Sequence, residues 1–331
     1  MSRNTMRAAI ALQVNDDLQI QHLAMPTIAA DEVLVKVIAS CVNPLDTKIS
    51  SGQGLHARQP LPAILGIDLA GVIEAVGTDV TRFTVGDEIY GMAGGIGGQQ
   101  GSLAEYIAVD ADLLALKPRN LSMREAAALP LIFITAWEGL VDRANVQGGQ
   151  RVLVQGGAGG VGQMAVQIAI ARGAEVYATG SVSSFLTIAS FGATAIDYRA
   201  QTPADYLEQF TGGEGFDIVY DTVGGATLDA SFAAVKAYTG HVVSCLGWGE
   251  HKLAPLSFLG ATYSGVFTLL PLISGKGRKH HGEILSEATA MAEAGQLRVL
   301  LDPRPFTLGN VNDAYAIIAA GEAKGKVVVD I

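Results

Sequence analysis

Arg151-Val152-Leu153-Val154-Gln155-Gly156-Gly157-Ala158-Gly159-Gly160-Val161-Gly162 is the stretch on which the reading of this chain turns. Val152, Leu153 and Val154 make a short apolar run that stops at a glycine cluster. Met164, Ala165, Val166, Ile168, Ala169 and Ile170 follow as a small-residue helix pattern, with Gly173 as its stop. Strand, glycine turn and helix in that order describe a dinucleotide-binding unit. Gly157, Gly159 and Gly162 have the spacing that lets the chain turn tightly, lets its backbone approach a pyrophosphate and lets the helix pack close to the strand. The helix N-terminus then offers unpaired N–H groups and a partial positive charge to the phosphates. The expected contacts of this turn are Gly157, Ala158, Gly159, Gly160 and Val161.

Working outward, strands and helices alternate over the segment that follows. Strands are expected at 151–155, 175–179, 195–197, 217–221, 241–245 and 263–267, and such alternation implies a doubly wound parallel sheet of six strands. The first third has a different style. Short apolar runs at 33–38, 69–76 and 103–109, punctuated by Gly77, Gly86 and Gly91, suggest a β-rich, barrel-like domain. Ser122 and Glu125 form a capping-box signature, followed by an apolar helical stretch that Pro130 interrupts. After Pro271 come a helix over 282–294, short strand-like pieces and a closing strand at 326–331, read as a return to the first domain. The expected division is therefore 1–121 with 272–331, and 122–271.

A length of 331 residues suits two domains, and 49% hydrophobic against 16% charged residues lets both bury large cores. The net charge of −10 disfavours nucleic acid and anionic membranes as partners. Cys41 and Cys245 are the only cysteines, so no disulfide framework is indicated. There is no signal-peptide pattern, and the apolar run at 126–136 is too short to cross a bilayer. A soluble, cytoplasmic protein is expected. The basic cluster Lys276 to His281 reads as a solvated loop before a helix.

Several motifs narrow the reading: Asn43-Pro44-Leu45-Asp46-Thr47-Lys48-Ile49, Gly66-Ile67-Asp68-Leu69-Ala70-Gly71-Val72, Gly86-Asp87-Glu88-Ile89-Tyr90-Gly91, Ala158-Gly159-Gly160-Val161-Gly162 and Gly325-Lys326-Val327-Val328-Val329. With the order of parts they resemble the medium-chain dehydrogenase/reductase superfamily, in its quinone oxidoreductase or zeta-crystallin branch. The resemblance implies an α/β chain, a six-stranded Rossmann sheet plus a GroES-like β-rich catalytic domain. Zinc-using members place Cys and His at the positions of Asn43 and Ile67. An amide is a poor zinc ligand and an isoleucine is none, and the segment 91–101 is a glycine-rich loop rather than a four-cysteine lobe. No metal is expected.

At the end of the second parallel strand, NAD-preferring sites carry an Asp or Glu for the ribose 2′-hydroxyl. Here the chain reads Thr179-Gly180-Ser181-Val182-Ser183-Ser184-Phe185, with no carboxylate to repel a 2′-phosphate. NADPH is the expected cofactor, with Gly180, Ser181 and Tyr198 as contacts and Arg199 adjacent. The resemblance adds Thr135, Leu246, Gly247, Val266 and Phe267 near the nicotinamide. For catalysis it implies Asn43 as a donor to a substrate oxygen, against a plain turn residue before Pro44, and Lys48 as an ammonium that stabilises an enolate or delivers a proton, against a solvated strand-end lysine; Asp46 reads as a residue that orients Lys48 or Thr47 or holds the turn. Tyr90 reads equally as a cleft residue and as a core tyrosine. Leu45, Ile67, Trp248, Phe267 and Leu269 suit a flat apolar substrate.

The expected reaction is hydride transfer from NADPH to a quinone. An alkenal or enone double-bond reductase is the rival, and a non-enzymatic, crystallin-like NADPH-binding protein is the alternative from another class. A homodimer is expected, with the 263–267 edge as its pairing surface.

Overall fold

The apolar runs of the first third do become strands, and each runs until a glycine or a polar turn stops it. A computed structural model describes residues 5–331. The chain forms two units: the first extends to Leu131 and resumes from Leu269 to Ile331, and the second is Ile132–Thr268.

The first unit opens with β1 (Thr5–Ala11), β2 (Gln19–Ala24), β3 (Glu32–Val42), α1 (Pro44–Ser50), β4 (Ala63–Ile64), β5 (Asp68–Val76), β6 (Glu88–Met92), β7 (Tyr106–Asp110) and β8 (Leu114–Leu116). Along β3, Val33, Val35 and Val37 point into the core while Leu34 and Lys36 do not, the period-two pattern of a half-buried strand. β3 is the central element of this unit: it pairs with both β5 and β7. The expected capping box opens α2 (Met123–Ala127): Ser122 Oγ accepts the Glu125 N–H at 3.2 Å and Glu125 Oε2 accepts the Ser122 N–H at 2.8 Å. α2 packs on β3 and β5, which places it in the first unit rather than at the head of the nucleotide domain. Pro130 is the first residue of α3 (Pro130–Trp137), where a missing N–H costs nothing, so it starts a helix rather than interrupting one. A π-helical turn, Glu138–Arg143, continues α3.

The second unit alternates as expected: β9 (Arg151–Gln155), α4 (Gly160–Ala171), β10 (Glu175–Gly180), α5 (Phe185–Ser190), β11 (Thr194–Asp197), α6 (Pro203–Thr211), β12 (Ile218–Asp221), α7 (Ala226–Ala234), β13 (His241–Ser244), α8 (Ala254–Leu259) and β14 (Thr262–Gly265). The sheet order is β11-β10-β9-β12-β13-β14 and every pair is parallel. The order reverses between β9 and β12, the switch point at which ligands bind in doubly wound sheets. β14 ends at Gly265, so Val266 and Phe267 lie just beyond the strand that was expected to contain them.

The chain returns through α9 (Leu270–Ser274), α10 (Arg278–Glu293), β15 (Phe306–Thr307), α11 (Val311–Ala319) and β16 (Val327–Asp330). β16 runs antiparallel to β3, with Val327 opposite Val42 and Asp330 opposite Ala39. The basic residues 278–281 are not a loop. They form the first turn of α10, where Arg278 pairs with Asp110 at 3.0 Å. Among the described residues no helix is long and apolar enough to cross a membrane.

Candidate active site

In the first unit the site is built on the N-terminus of α1. Pro44 fixes the first helical φ, and Asn43 sits in the cap position with an extended backbone. Asp46 reaches back into the turn. Its Oδ2 accepts the Asn43 N–H at 2.8 Å, its Oδ1 accepts the Gly66 N–H at 3.2 Å, and its own N–H donates to the Asn43 carbonyl at 2.9 Å. The Asn43 side chain bridges two groups outside the helix. Its Nδ2 donates to Asp68 Oδ2 at 2.9 Å, and its Oδ1 accepts from Lys326 Nζ. Asp68 Oδ1 accepts the N–H of Leu131, in the first turn of α3, at 3.0 Å.

Asn43, Asp46 and Asp68 have no exposed surface and Lys326 is 7% exposed. Burial pushes the Asp46 carboxyl up to about 7; the N–H of Asn43 opposes the rise and the Asp68 charge adds to it. Burial raises Asp68 to about 6, with the Lys326 charge and the Asn43 amide holding it down.

The three expected catalytic residues therefore occupy different surroundings. Lys48 is exposed on α1. Asn43 and Asp46 are sealed inside, and Asp46 spends both oxygens on backbone N–H groups rather than on Thr47 or Lys48. The Thr47 hydroxyl donates to the Pro44 carbonyl at 2.9 Å. His56, which no sequence motif marked, lies near Lys48; burial and then the Lys48 charge hold its imidazole below the usual range. Tyr90 is a core tyrosine: fully buried, its hydroxyl donates to the Leu285 carbonyl at 2.6 Å. Ile67 and Leu269 are buried too and Leu45 is half-buried, whereas Trp248 and Phe267 are 48% and 38% exposed.

The donor set at α1 does not fit zinc. Zinc binds thiolate, imidazole or carboxylate, and here an apolar Ile67 and an amide facing an ammonium stand at the ligand positions. Burial pushes the Cys41 thiol up to about 12. Among the described residues no group of three or more His, Cys, Asp or Glu side chains could hold a metal ion.

Cys245, half-buried, is raised to about 12 as well, by burial and then by the Asp221 charge. Both thiols are free. Since the thiolate is the reactive species, iodoacetamide at pH 8 is expected to label both about 10²–10³-fold more slowly in the native protein than in denaturant. Mass spectrometry of timed samples checks this, and rapid native labelling of either cysteine contradicts the protonated state.

In the second unit the glycine turn takes the form its spacing implied. The N–H groups of Gly156 and Gly157 donate to Thr179 Oγ1 and to the Thr179 carbonyl, both at 2.9 Å, which fastens the turn to β10. Gly156 has φ +76°, a conformation glycine adopts readily. A Cβ on Gly162 would collide with the Gly156 carbonyl. Gly159 caps α4 without a side chain, and Gly160 and Val161 open it, so the first N–H groups of a 12-residue helix are left for an anion. This cradle fits a pyrophosphate.

Gly180 ends β10 opposite Asp197 of β11. That pairing puts Tyr198 and Arg199 beside the serine loop, so a cation absent from the loop itself comes from the neighbouring strand end. Arg199 Nε donates to Tyr198 Oη at 3.2 Å, and Ser181 and Ser183 share a hydroxyl hydrogen bond of 2.8 Å. Thr135, buried on α3, shares a 3.1 Å hydroxyl–hydroxyl hydrogen bond with Thr268, whose hydroxyl donates to Glu138 Oε2 at 3.0 Å.

Leu246 and Gly247 follow β13, and Val266 is buried after β14 with its N–H on the Ser244 carbonyl at 2.9 Å. Asp221, which the motif reading passed over, ties these loops together. Fully buried at the end of β12, it accepts the Gly224 N–H at 3.0 Å and the Ser244 hydroxyl at 2.7 Å. Lys326 and Asp68 were also missed as site residues, although both lie inside quoted motifs.

The "Alcohol dehydrogenase GroES-like domain" family matches residues 29–119, and the "Zinc-binding dehydrogenase" family matches residues 191–329. A 2-methylene-furan-3-one reductase from Solanum lycopersicum is 37% identical over 93% of this chain and 74% of its own length. An NADPH-dependent alkenal/one oxidoreductase, chloroplastic, from Arabidopsis thaliana is 35% identical over the same shares. The crystal structure of an alcohol dehydrogenase superfamily protein from Novosphingobium aromaticivorans superposes with a TM-score of 0.97 at 54% identity, covering 99% of this chain and 100% of that one. The likeness spans both units, and with the Asn43 amide and the apolar Ile67 where zinc ligands would stand, the chain belongs to the zinc-independent medium-chain dehydrogenases/reductases.

Proposed function

We propose that the chain reduces the carbon–carbon double bond of α,β-unsaturated ketones and aldehydes with NADPH. The observation that carries this reading is the position of Lys48: an exposed ammonium on α1, two residues beyond a sealed carboxylate whose oxygens are both taken by backbone N–H groups. Reduction of an enone builds negative charge on the carbonyl oxygen, and a positioned cation meets that need. NADPH, when bound, supplies the hydride that adds to the β carbon. Lys48 then stabilises the enolate oxygen, and the α carbon takes a proton from solvent water, which leaves hydroxide.

With no surface at which a substrate oxygen reaches it, Asn43 takes an internal role in this reading, and Asp46 holds the turn. Gly157, Ala158, Gly159, Gly160 and Val161 bind the pyrophosphate; Thr135, Leu246, Gly247, Val266 and Phe267 serve the nicotinamide end. Gly180, Ser181, Tyr198 and Arg199 receive the 2′-phosphate, a preference supported by the absence of a carboxylate from 180–185. The two named relatives act on an exocyclic enone and on alkenals and alkenones, which favours the enone over the quinone expected from sequence. β14 is the edge of the six-stranded sheet, and a second copy of the chain is the partner that would cover its backbone groups.

An acceptor panel of enones, alkenals, quinones and saturated aldehydes, read by loss of reduced-coenzyme absorbance, tests the assignment. The expected result is the highest kcat/KM with enones, a saturated ketone as product, and at least tenfold preference for NADPH over NADH. Quinone reduction without enone reduction transfers the assignment to quinones, and coenzyme binding without any turnover leaves a binding protein.

A further inference from the structure

We propose that Lys326 is a positioning residue of the reaction: its ammonium, reaching in from the C-terminal strand, locks the Asn43 amide against Asp68 and so holds the starts of α1 and α3 where turnover needs them. This rests on the reductase reading above.

The placement follows from register. Val327 stands opposite Val42 in the β16–β3 pair, so the next antiparallel position sets Lys326 across from Asn43. The Lys326 backbone is fixed on both sides. Its N–H donates to the Leu300 carbonyl at 2.7 Å and its carbonyl accepts the Asp302 N–H at 2.9 Å, which leaves only the side chain to choose a partner.

The chemistry then orients the amide. An ammonium only donates and an ionised carboxylate only accepts, so Oδ1 must face Lys326 and Nδ2 must face Asp68. A flipped amide would put donor against donor and acceptor against acceptor. Beyond Asn43 the chain of bonds continues: Asp68 uses its other oxygen on the Leu131 N–H, at the start of α3. Asp46 fastens the start of α1 through the Asn43 N–H. One cation thus orders two helix N-termini, that of α1, which carries Lys48, and that of α3 at Leu131.

The arrangement is not the cheapest way to fill this space. Asn43 stands at the N-cap of α1, and its side chain bridges Asp68 and Lys326, both outside the helix. Lys326 is more than nine-tenths buried, and a buried ionic group contributes less stability than well-packed apolar residues. Its retention in a core of this kind fits a role in orientation. The titratable groups around it are Asp46, Asp68 and the Cys41 thiol, with the Tyr315 hydroxyl beside Asp46.

The test compares wild type with Lys326→Met and Lys326→Arg. Lys326→Met is expected to lower kcat with an enone about 30- to 100-fold, a loss typical of a displaced catalytic group, while KM for NADPH stays within about threefold. Lys326→Arg, which keeps the charge, is expected to recover most of the loss. Infrared titration of the buried carboxyl C=O band gives a readout independent of turnover. In wild type the band is expected to fade as pH rises through about 7. Without the ammonium the carboxylates hold their protons longer, so in Lys326→Met the band persists at least one pH unit higher. If the Met variant does not fold, Lys326→Leu, uncharged and unable to donate to Asn43, takes its place with the same expectations. Wild-type kcat in an uncharged variant, or an unmoved band, overturns the proposal. Failure of the wild type on every acceptor counts instead against the reductase reading, and the infrared titration still decides the role of Lys326.

Discussion

Gly162→Ala is expected to abolish tight NADPH binding while leaving the fold in place. Helix propensity points the other way, since alanine is the better helix former by about 1 kcal/mol and Gly162 lies within the first turn of α4. The effect comes from space. A methyl at this position meets the Gly156 carbonyl, the backbone of the turn itself. Backbone cannot swing aside as a flexible side chain does, so the turn and the helix start must separate. The turn is also tied to β10 through both Thr179 bonds, which limits how far it can move aside. The N–H groups at the head of α4 then no longer converge on one anion. We expect Kd for NADPH, measured by calorimetry, to rise at least about 100-fold, equivalent to roughly 2.7 kcal/mol, with Tm changed by only a few degrees. An unchanged Kd would remove the pyrophosphate from this turn and with it the basis of the cofactor assignment.

This prediction was available from sequence because a glycine turn carries its reasons locally: strand, turn and helix lie within 21 consecutive residues, Arg151 to Ala171. The same holds for the six parallel strands and for the Ser122–Glu125 box. Boundaries set by packing were harder to read. Ser122 announced a helix correctly, but whether α2 belongs with the strands before it or after it depends on β3 and β5, far away in sequence. Pro130 showed the complementary ambiguity, since the residue that interrupts a helix interior is the residue that starts one.

In the site, residue type was legible and burial was not. Asn43, Asp46 and Lys48 lie within six residues of one motif, yet α1 turns the first two into the core and the third to the surface. Lys326 is separated from Asn43 by most of the chain, and only the antiparallel register of β16 on β3 brings them together. Asp221 carried no motif at all; its role exists only because β12 and β13 end side by side.

The contrast within α1 yields the second large effect. Lys48→Met is expected to lower kcat for enone reduction about 10²- to 10³-fold, in the range for loss of one positioned acid or charge, while KM for NADPH and Tm move little. The side chain is exposed, so its removal opens no cavity and strands no partner. Asp46→Ala is the opposite case. It leaves the N–H groups of Asn43 and Gly66 without acceptors in a fully buried place and is expected to cost several kcal/mol of stability before any effect on chemistry is seen. Measured side by side, kcat at fixed fold for Lys48→Met and the denaturation midpoint for Asp46→Ala separate reaction from scaffold on a single turn of helix. His56 sharpens the comparison. Its imidazole is held below the ordinary range by burial and by the Lys48 charge, so removing that charge should raise the His56 pKa, which imidazole proton resonances report during a pH titration. A Lys48→Met protein that keeps wild-type turnover while His56 shifts as expected would show the ammonium to be present at the site yet idle in the reaction.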